Sequence, residues 1–366
     1  MPVYVDGDLP GAQKLGARFK VRGYPTMILF NPDGVELTRL PGEVDAPQVM
    51  KVLQVGLAGG RPVAAVLADA RAGRTLTANE WRLLAYYSWG TDEAQLVPES
   101  ERAGLLVALA AATPPQEAQV ATRLWLKALA ASDEGQGVKA DAALRERVMK
   151  VLADPAASRA QMDVLTSGAA EIVRAISTRE AGGQRAAVLA AYNKALQRLE
   201  ADTTLSRADR MGALIAQIDL ARIDVQKDAR GAAAKTVKLP APLLKDVRDH
   251  VARADREITD GYERQAVITA CAYALSQAGL GAESDALLKA NLAKSHSPYY
   301  LMSSLAGNAK ARGDKAGALR WYEEAFNKSE GPATRLQWGA SYVSALVELA
   351  PQDAPRIERA ASQLVS

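Results

Sequence analysis

The apolar pattern changes character near residue 60. Before it, short β-type runs alternate with tight turns. After it, the chain reads as helices separated by short breaks, with no convincing strand. Val3-Tyr4-Val5 is a β-type run that stops at Asp6-Gly7-Asp8. Pro10 to Phe19 predicts a helix, with Pro10 in the first turn and Leu15 and Phe19 on one face. Gly23 and Pro25 break the pattern and make Tyr24 extended. Met27-Ile28-Leu29-Phe30 is continuous rather than alternating, which suits a strand covered on both faces. Asn31 to Gly34 is a turn, and Val35 to Leu40 a second strand. Asp45 is an expected N-cap for a helix from Ala46 to about Leu57, with Val49, Val52, Leu53 and Gly56 on or near its inner face.

Ala58 to Pro62 reads as a linker by composition. Beyond it, helices are expected over Ala78–Ser88, Glu99–Ala112, Pro115–Ala131, Ala140–Ala153 and Arg159–Ser177. Others are expected over Gln184–Ala201, Arg207–Lys227, Pro242–Asp260 and Gly261–Ala278. One helix per ~15 to 20 residues is the spacing of stacked helical hairpins. Near the end the pattern repeats. Gly279 and Gly313 are 34 residues apart, and the same offset relates Leu287 to Trp321, Leu288 to Tyr322 and Leu292 to Phe326. It also relates Lys294 to Lys328, Ser295 to Ser329 and Pro298 to Pro332. Thirty-four residues is the tetratricopeptide period. Residues 309 to 325 resemble that motif's inter-helix turn and second helix, with Gly313 in the turn, Ala318 at the close approach, and Tyr322 and Ala325 facing the neighbouring helix. Ala309 stands where the motif has a large residue, and Pro332 lies two residues late. The tetratricopeptide-like part is expected at about 265–350.

Residues 20 to 42, KVRGYPTMILFNPDGVELTRLPG, carry a second resemblance. Gly23, Pro25, Thr26, Leu29 and Phe30, then Gly34, Glu36 and Arg39, then Gly42, are similar to the thioredoxin-like domain of bacterial thiol:disulfide interchange proteins. The resemblance covers about 55 residues. It implies that residues 1–58 form the C-terminal part of a thioredoxin fold, with Pro25 a cis-proline. It also implies a substrate-binding loop of Tyr24, Pro25 and Thr26, the backbone of Tyr24 pairing with an extended substrate. The family's central strand and its W-C-x-x-C helix have no counterpart here. Three explanations fit: a start placed too far downstream, a real truncation, or a sheet completed by another chain through strand addition.

The expected fold class is therefore α+β and multidomain: an incomplete thioredoxin-like α/β segment (1–58), a linker (59–62), and a large all-α helical-hairpin domain (63–366). No catalytic residue is assigned. Exchange chemistry needs a thiolate and a resolving cysteine, and the chain has one cysteine, Cys271, on an apolar helical stretch where it reads as buried and inert. By resemblance the enzyme class is a protein-disulfide reductase or isomerase, redox-inactive as it stands. The alternative is a non-enzymatic scaffold that binds partner proteins. Protein or peptide partners are expected under both.

Composition narrows the rest. A net charge of +3, from 45 basic and 42 acidic residues, gives no footprint for nucleic acid. No apolar run reaches membrane-spanning length, so no membrane insertion is expected. The N-terminus lacks the charge and apolar core of a signal peptide, which places the chain as written in the cytoplasm. A missing upstream segment with a signal peptide would place it in the periplasm. Ala/Arg richness and the family resemblance point to a bacterial source. His250 and His296 stand apart, no metal-ligand spacing appears, and no cofactor is expected. Asp249-His250 reads as a solvated pair. Asp255, Glu257 and Asp260, alternating with Arg253, Arg256 and Arg264, read as a salt-bridged helix surface. Trp321-Tyr322 and Tyr299-Tyr300 are candidates to line a groove.

Overall fold

A computed structural model describes residues 3–9, 11–21, 26–40, 46–57, 60–92, 96–132, 136–138, 140–179, 182–225 and 239–365. It corrects the expected fold class. The protein is largely all-α, 73% helical, and the described residues hold one sheet of two strands. The chain forms two compact units. One joins residues 1–19 to 225–366, and the other is residues 20–224. The stretch expected to be a thioredoxin-like segment is thus shared between them. Val3 and Tyr4 are 72% and 90% exposed and lie in no strand. Their β-propensity has no ladder to join, and propensity alone does not hold a strand in water.

Unit 2 begins with the sheet. β1 (Met27–Phe30) pairs antiparallel with β2 (Glu36–Leu40) across the Asn31–Gly34 turn. The Asn31 side chain accepts the Val35 N–H at 2.8 Å, and the Gly34 N–H donates to the Asn31 carbonyl at 3.0 Å. The register slips between Leu29 and Phe30, a bulge that sets Glu36 opposite Phe30. Glu36 then takes Arg39 in a two-point ion pair, Nε–Oε1 2.8 Å and Nη2–Oε2 3.0 Å. The G-x-E-x-x-R spacing thus has a local electrostatic use. Met27 is 46% exposed, so β1 is not covered on both faces as its continuous apolar run implied.

α2 (Ala46–Leu57) follows with the bounds the pattern predicts, and Val52 is buried. Gly56 allows the close approach to β1, since a Cβ there would stand 2.0 Å from Leu29 Cδ2. Helices continue through α3 (Val63–Arg71), α4 (Ala78–Tyr86), α5 (Glu99–Ala112), α6 (Ala118–Ala131) and α7 (Ala142–Ala153). The Thr77/Glu80 capping box starts α4, and Asp141 caps α7. The single helix expected over Arg159–Ser177 is instead α8 (Pro155–Ala160), α9 (Met162–Ser167) and α10 (Ala169–Ile176). Gly168 separates the last two where a Cβ would meet Ala130 at 2.6 Å. α11 (Gly182–Ala201) and α12 (Arg207–Ala221) complete the unit around one core running from Leu40 to Ile223.

Unit 1 contains α1 (Ala12–Arg18), α13 (Ala241–Glu257), α14 (Gly261–Gln277), α15 (Gly281–Asn291), α16 (Pro298–Ala311), α17 (Lys315–Lys328), α18 (Pro332–Leu349) and α19 (Ala354–Val365). A 34-residue register runs through it. α14 and α16 end at Gln277 and Ala311, α15 and α17 begin at Gly281 and Lys315, and α16 and α18 begin at Pro298 and Pro332. The two turns are built alike. Gly279 and Gly313 have φ of 79° and 81°. The next residue's N–H reaches back to Leu275 O at 2.8 Å in one and Ala309 O at 2.9 Å in the other, the Schellman pattern. Ala309 and Ala318 are fully buried, and their small side chains let α16 and α17 pack closely.

Gly313→Ala isolates the cost of that turn, because open space surrounds the Cβ position. The left-handed backbone alone should cost about 1–2 kcal/mol. Denaturant unfolding followed by the fluorescence of Trp321 and Trp338 should show this loss with native helicity retained.

Candidate functional site

Among the described residues no three His, Cys, Asp or Glu side chains converge as a metal site requires. Tyr24 and Pro25 lie outside the described residues. Thr26 is half-buried just before β1 in unit 2. Cys271 is buried on α14, with burial foremost pushing its thiol up to about 12. Asp249 pairs with Lys245 at 2.5 Å, while His250 is half-buried. The charged run near Asp255 is not a surface ladder throughout. Arg264 is buried and ties Asp255, the Ile258 carbonyl and Asn291 into a knot joining α13, α14 and α15. Asn291 also donates to Asp255 at 3.1 Å and to the Leu287 carbonyl at 2.9 Å. Every group in that knot has a partner, so it serves packing.

A second buried ionic cluster sits in unit 2. Arg123 is 1% exposed and binds Asp163 through two bonds of 2.9 and 2.5 Å. Its Nε donates to the Ala85 carbonyl at 3.2 Å, and its guanidinium lies 4.1 Å from the Tyr86 ring centre. Lys127 donates to the Tyr87 carbonyl at 3.0 Å. Burial first, and Arg123 second, hold the Lys127 ammonium well below its ordinary value. For Asp163, burial is the largest influence and opposes ionisation, yet the charge and hydrogen bonds of Arg123, the charge of Lys127 and the Val164 N–H together hold it below the usual range. The cluster locks α6 to α4 and α9.

Unit 1 offers a different arrangement, with Trp338 buried and Tyr299 and Tyr300 half-buried. Tyr299 and Tyr300 open α16, and Trp338 lies on α18 with its ring centre 6.1 and 5.1 Å from theirs. Tyr300 meets the indole edge-on at 83°. The start of α18 carries no side-chain cap of its own: its N-cap is Gly331, with φ of 82°. Asp8 supplies the cap from 326 positions away. One of its oxygens accepts the Thr334 N–H at 2.8 Å, and the other accepts the Thr334 hydroxyl at 2.6 Å. Gly331 makes the room, since a Cβ there would lie 2.3–2.5 Å from Asp8 atoms. Burial foremost, then the charges of Tyr299 and Asp8, raise the Tyr300 phenol, so its hydroxyl stays protonated and available to donate. The sequence marks Tyr299-Tyr300, and Pro332 as the 34-residue counterpart of Pro298. It gives no sign that Asp8 belongs with Thr334, or Trp338 with the tyrosines.

Asp163→Ala should destabilise unit 2 by about 3–5 kcal/mol, because it strands a buried guanidinium. The pH sign follows from the lowered carboxyl. Its stabilisation is complete above the unfolded carboxylate value of about 4 and is lost as pH falls through the lower folded value. Urea midpoints between pH 7 and pH 3 should therefore fall less steeply in the variant than in the parent. No family model, no curated protein and no solved structure matches the chain.

Proposed function

We propose that the protein is a non-enzymatic helical scaffold that binds partner proteins through unit 1. The observation that carries this reading is the 34-residue hairpin register of α14 to α18, with half-buried Tyr299 and Tyr300 packed on the buried Trp338. Tetratricopeptide-like stacks use such aligned hairpins to present one continuous face to a peptide. Aromatic side chains anchor such contacts, because they bring large area with few rotatable bonds. The buried Cys271 thiol speaks against thiol exchange by this chain, since the thiolate is the reacting species.

The test begins with affinity capture on the intact chain and proceeds to a complex rebuilt from two purified components. Amide exchange should then show protection on α16 and α18. Tyr300→Ala should weaken the complex roughly tenfold or more, with helicity unchanged. Full affinity in that variant, with protection confined elsewhere, would contradict the assignment. So would insulin reduction above background by the purified chain.

A further inference from the structure

Three ionisable groups meet where α6 packs on the end of α4, and their charges do not balance. Arg123 and Lys127 stand one helical turn apart on α6 and share a face. Asp163 on α9 is the carboxylate that acts on both, and Arg123 already occupies its two oxygens. Lys127 is left with one acceptor among the described residues, the Tyr87 carbonyl at 3.0 Å. An ammonium brings three N–H donors to that single acceptor and strands two of them, whereas an amine strands only one. With all three groups ionised, two cations stand against one carboxylate. An uncompensated charge inside a protein is costly, and the group that can give up a proton relieves it. Arginine cannot do so, and lysine can.

The same contacts hold the end of α4, whose last carbonyls have no donor inside the helix. Arg123 Nε donates to the Ala85 carbonyl at 3.2 Å, and Lys127 to that of Tyr87, the C-cap residue. A neutral amine keeps the second bond. Burial is the largest influence against the Lys127 charge, Arg123 adds to it, and Asp163 opposes it. α4 contributes Tyr86, whose ring lies against the Arg123 guanidinium, and Tyr87, whose hydroxyl donates to Asp92 at 2.6 Å. α5, α7, α10 and the short turn Pro115–Glu117 also pack on α6, and none of their charged groups acts on Lys127. Lys127 as a whole is half-buried, which leaves water a path for its proton.

We infer that Lys127 is a neutral amine in the folded protein at neutral pH, and that its protonation on acidification loosens the hold of α6 on α4 and α9. The contact is then an acid-sensitive latch, because closing it takes a proton off one lysine. Once the contact opens and Lys127 reaches water, the residue returns to the ordinary lysine value of about 10.4. In the closed state burial and Arg123 hold it well below that. The latch is therefore strongest above the open-state value and weakens as pH falls through the window between the two values. Below the lower value it changes no further. Inside the window each pH unit shifts the opening equilibrium up to about tenfold. The latch lies within unit 2 and does not depend on the scaffold reading of unit 1.

The test uses three full-length chains: the parent, Lys127→Met, which has similar length and no charge, and Lys127→Arg, which keeps its charge at every pH. Carbon NMR of the lysine Cε signals gives the protonation state directly, with Lys127 assigned by its loss in either variant. Its titration midpoint should lie below pH 7, apart from the other lysines. Amide-exchange protection on α4 and α6, corrected for the intrinsic pH dependence of exchange, gives the latch. Between pH 7 and pH 9 protection in the parent should rise at least tenfold relative to Lys127→Met. Lys127→Arg should stay at the looser level across the whole range, and it serves alone should Lys127→Met perturb the fold. A Lys127 midpoint at or above pH 7 would overturn the neutral amine. Protection that changes with pH alike in the parent and the variants would overturn the latch.

Discussion

A helix can fold back on its neighbour only if its last carbonyls find donors inside the turn. In unit 1 that constraint is met twice in the same way, at Gly279 and Gly313, where a left-handed glycine lets the following N–H bond back across the helix end. The turn fixes where the next helix starts, and Asp314 then caps it by accepting the Gly317 N–H at 2.8 Å. The two buried alanines, Ala309 and Ala318, allow the pair to close. From these local choices the spacing of α14 to α18 follows, and with it the meeting of Tyr299 and Tyr300 on α16 with Trp338 on α18. The aromatic face is a consequence of the turn geometry.

Legibility in the sequence tracks how local the chemistry is. The Asn31–Gly34 turn, the two strands beside it, and α2 were readable because a few adjacent residues specify each. The 34-residue offset between Pro298 and Pro332 was readable, but not that each opens a helix, where proline suits the first turn. Val3-Tyr4-Val5 misled because β-branched and aromatic residues mark a strand only where a neighbour supplies the ladder. The stretch from Arg159 to Ser177 looked like one helix because its apolar spacing is continuous. The breaks come at Gln161 and Gly168, and at Gly168 the backbone closes on Ala130 of α6, which no local pattern reveals.

The non-local contacts were invisible for a physical reason. Arg123 with Asp163, Arg185 with Asp224, Arg264 with Asn291, and Asp8 with Thr334 join residues dozens to hundreds of positions apart. Each consists of residue types common on any surface, and only burial makes them costly to break. Arg123 with Asp163 and Arg185 with Asp224 lie in unit 2, and Arg264 with Asn291 lies in unit 1. Asp8 differs, because it reaches a helix end from a segment whose Val3, Tyr4 and Leu9 are exposed.

The seating of Asp8 on α18 can be read at a single atom. The N–H groups in the first turn of a helix have no intrahelical acceptor and exchange quickly with solvent unless something outside the helix takes them. Residue-resolved amide exchange at Thr334, measured in the parent and in Asp8→Ala, therefore reports whether that carboxylate is there. Slow exchange in the parent and fast exchange in the variant, with the rest of α18 unchanged, is the predicted result. Equal rates at Thr334 in the two proteins would contradict the account.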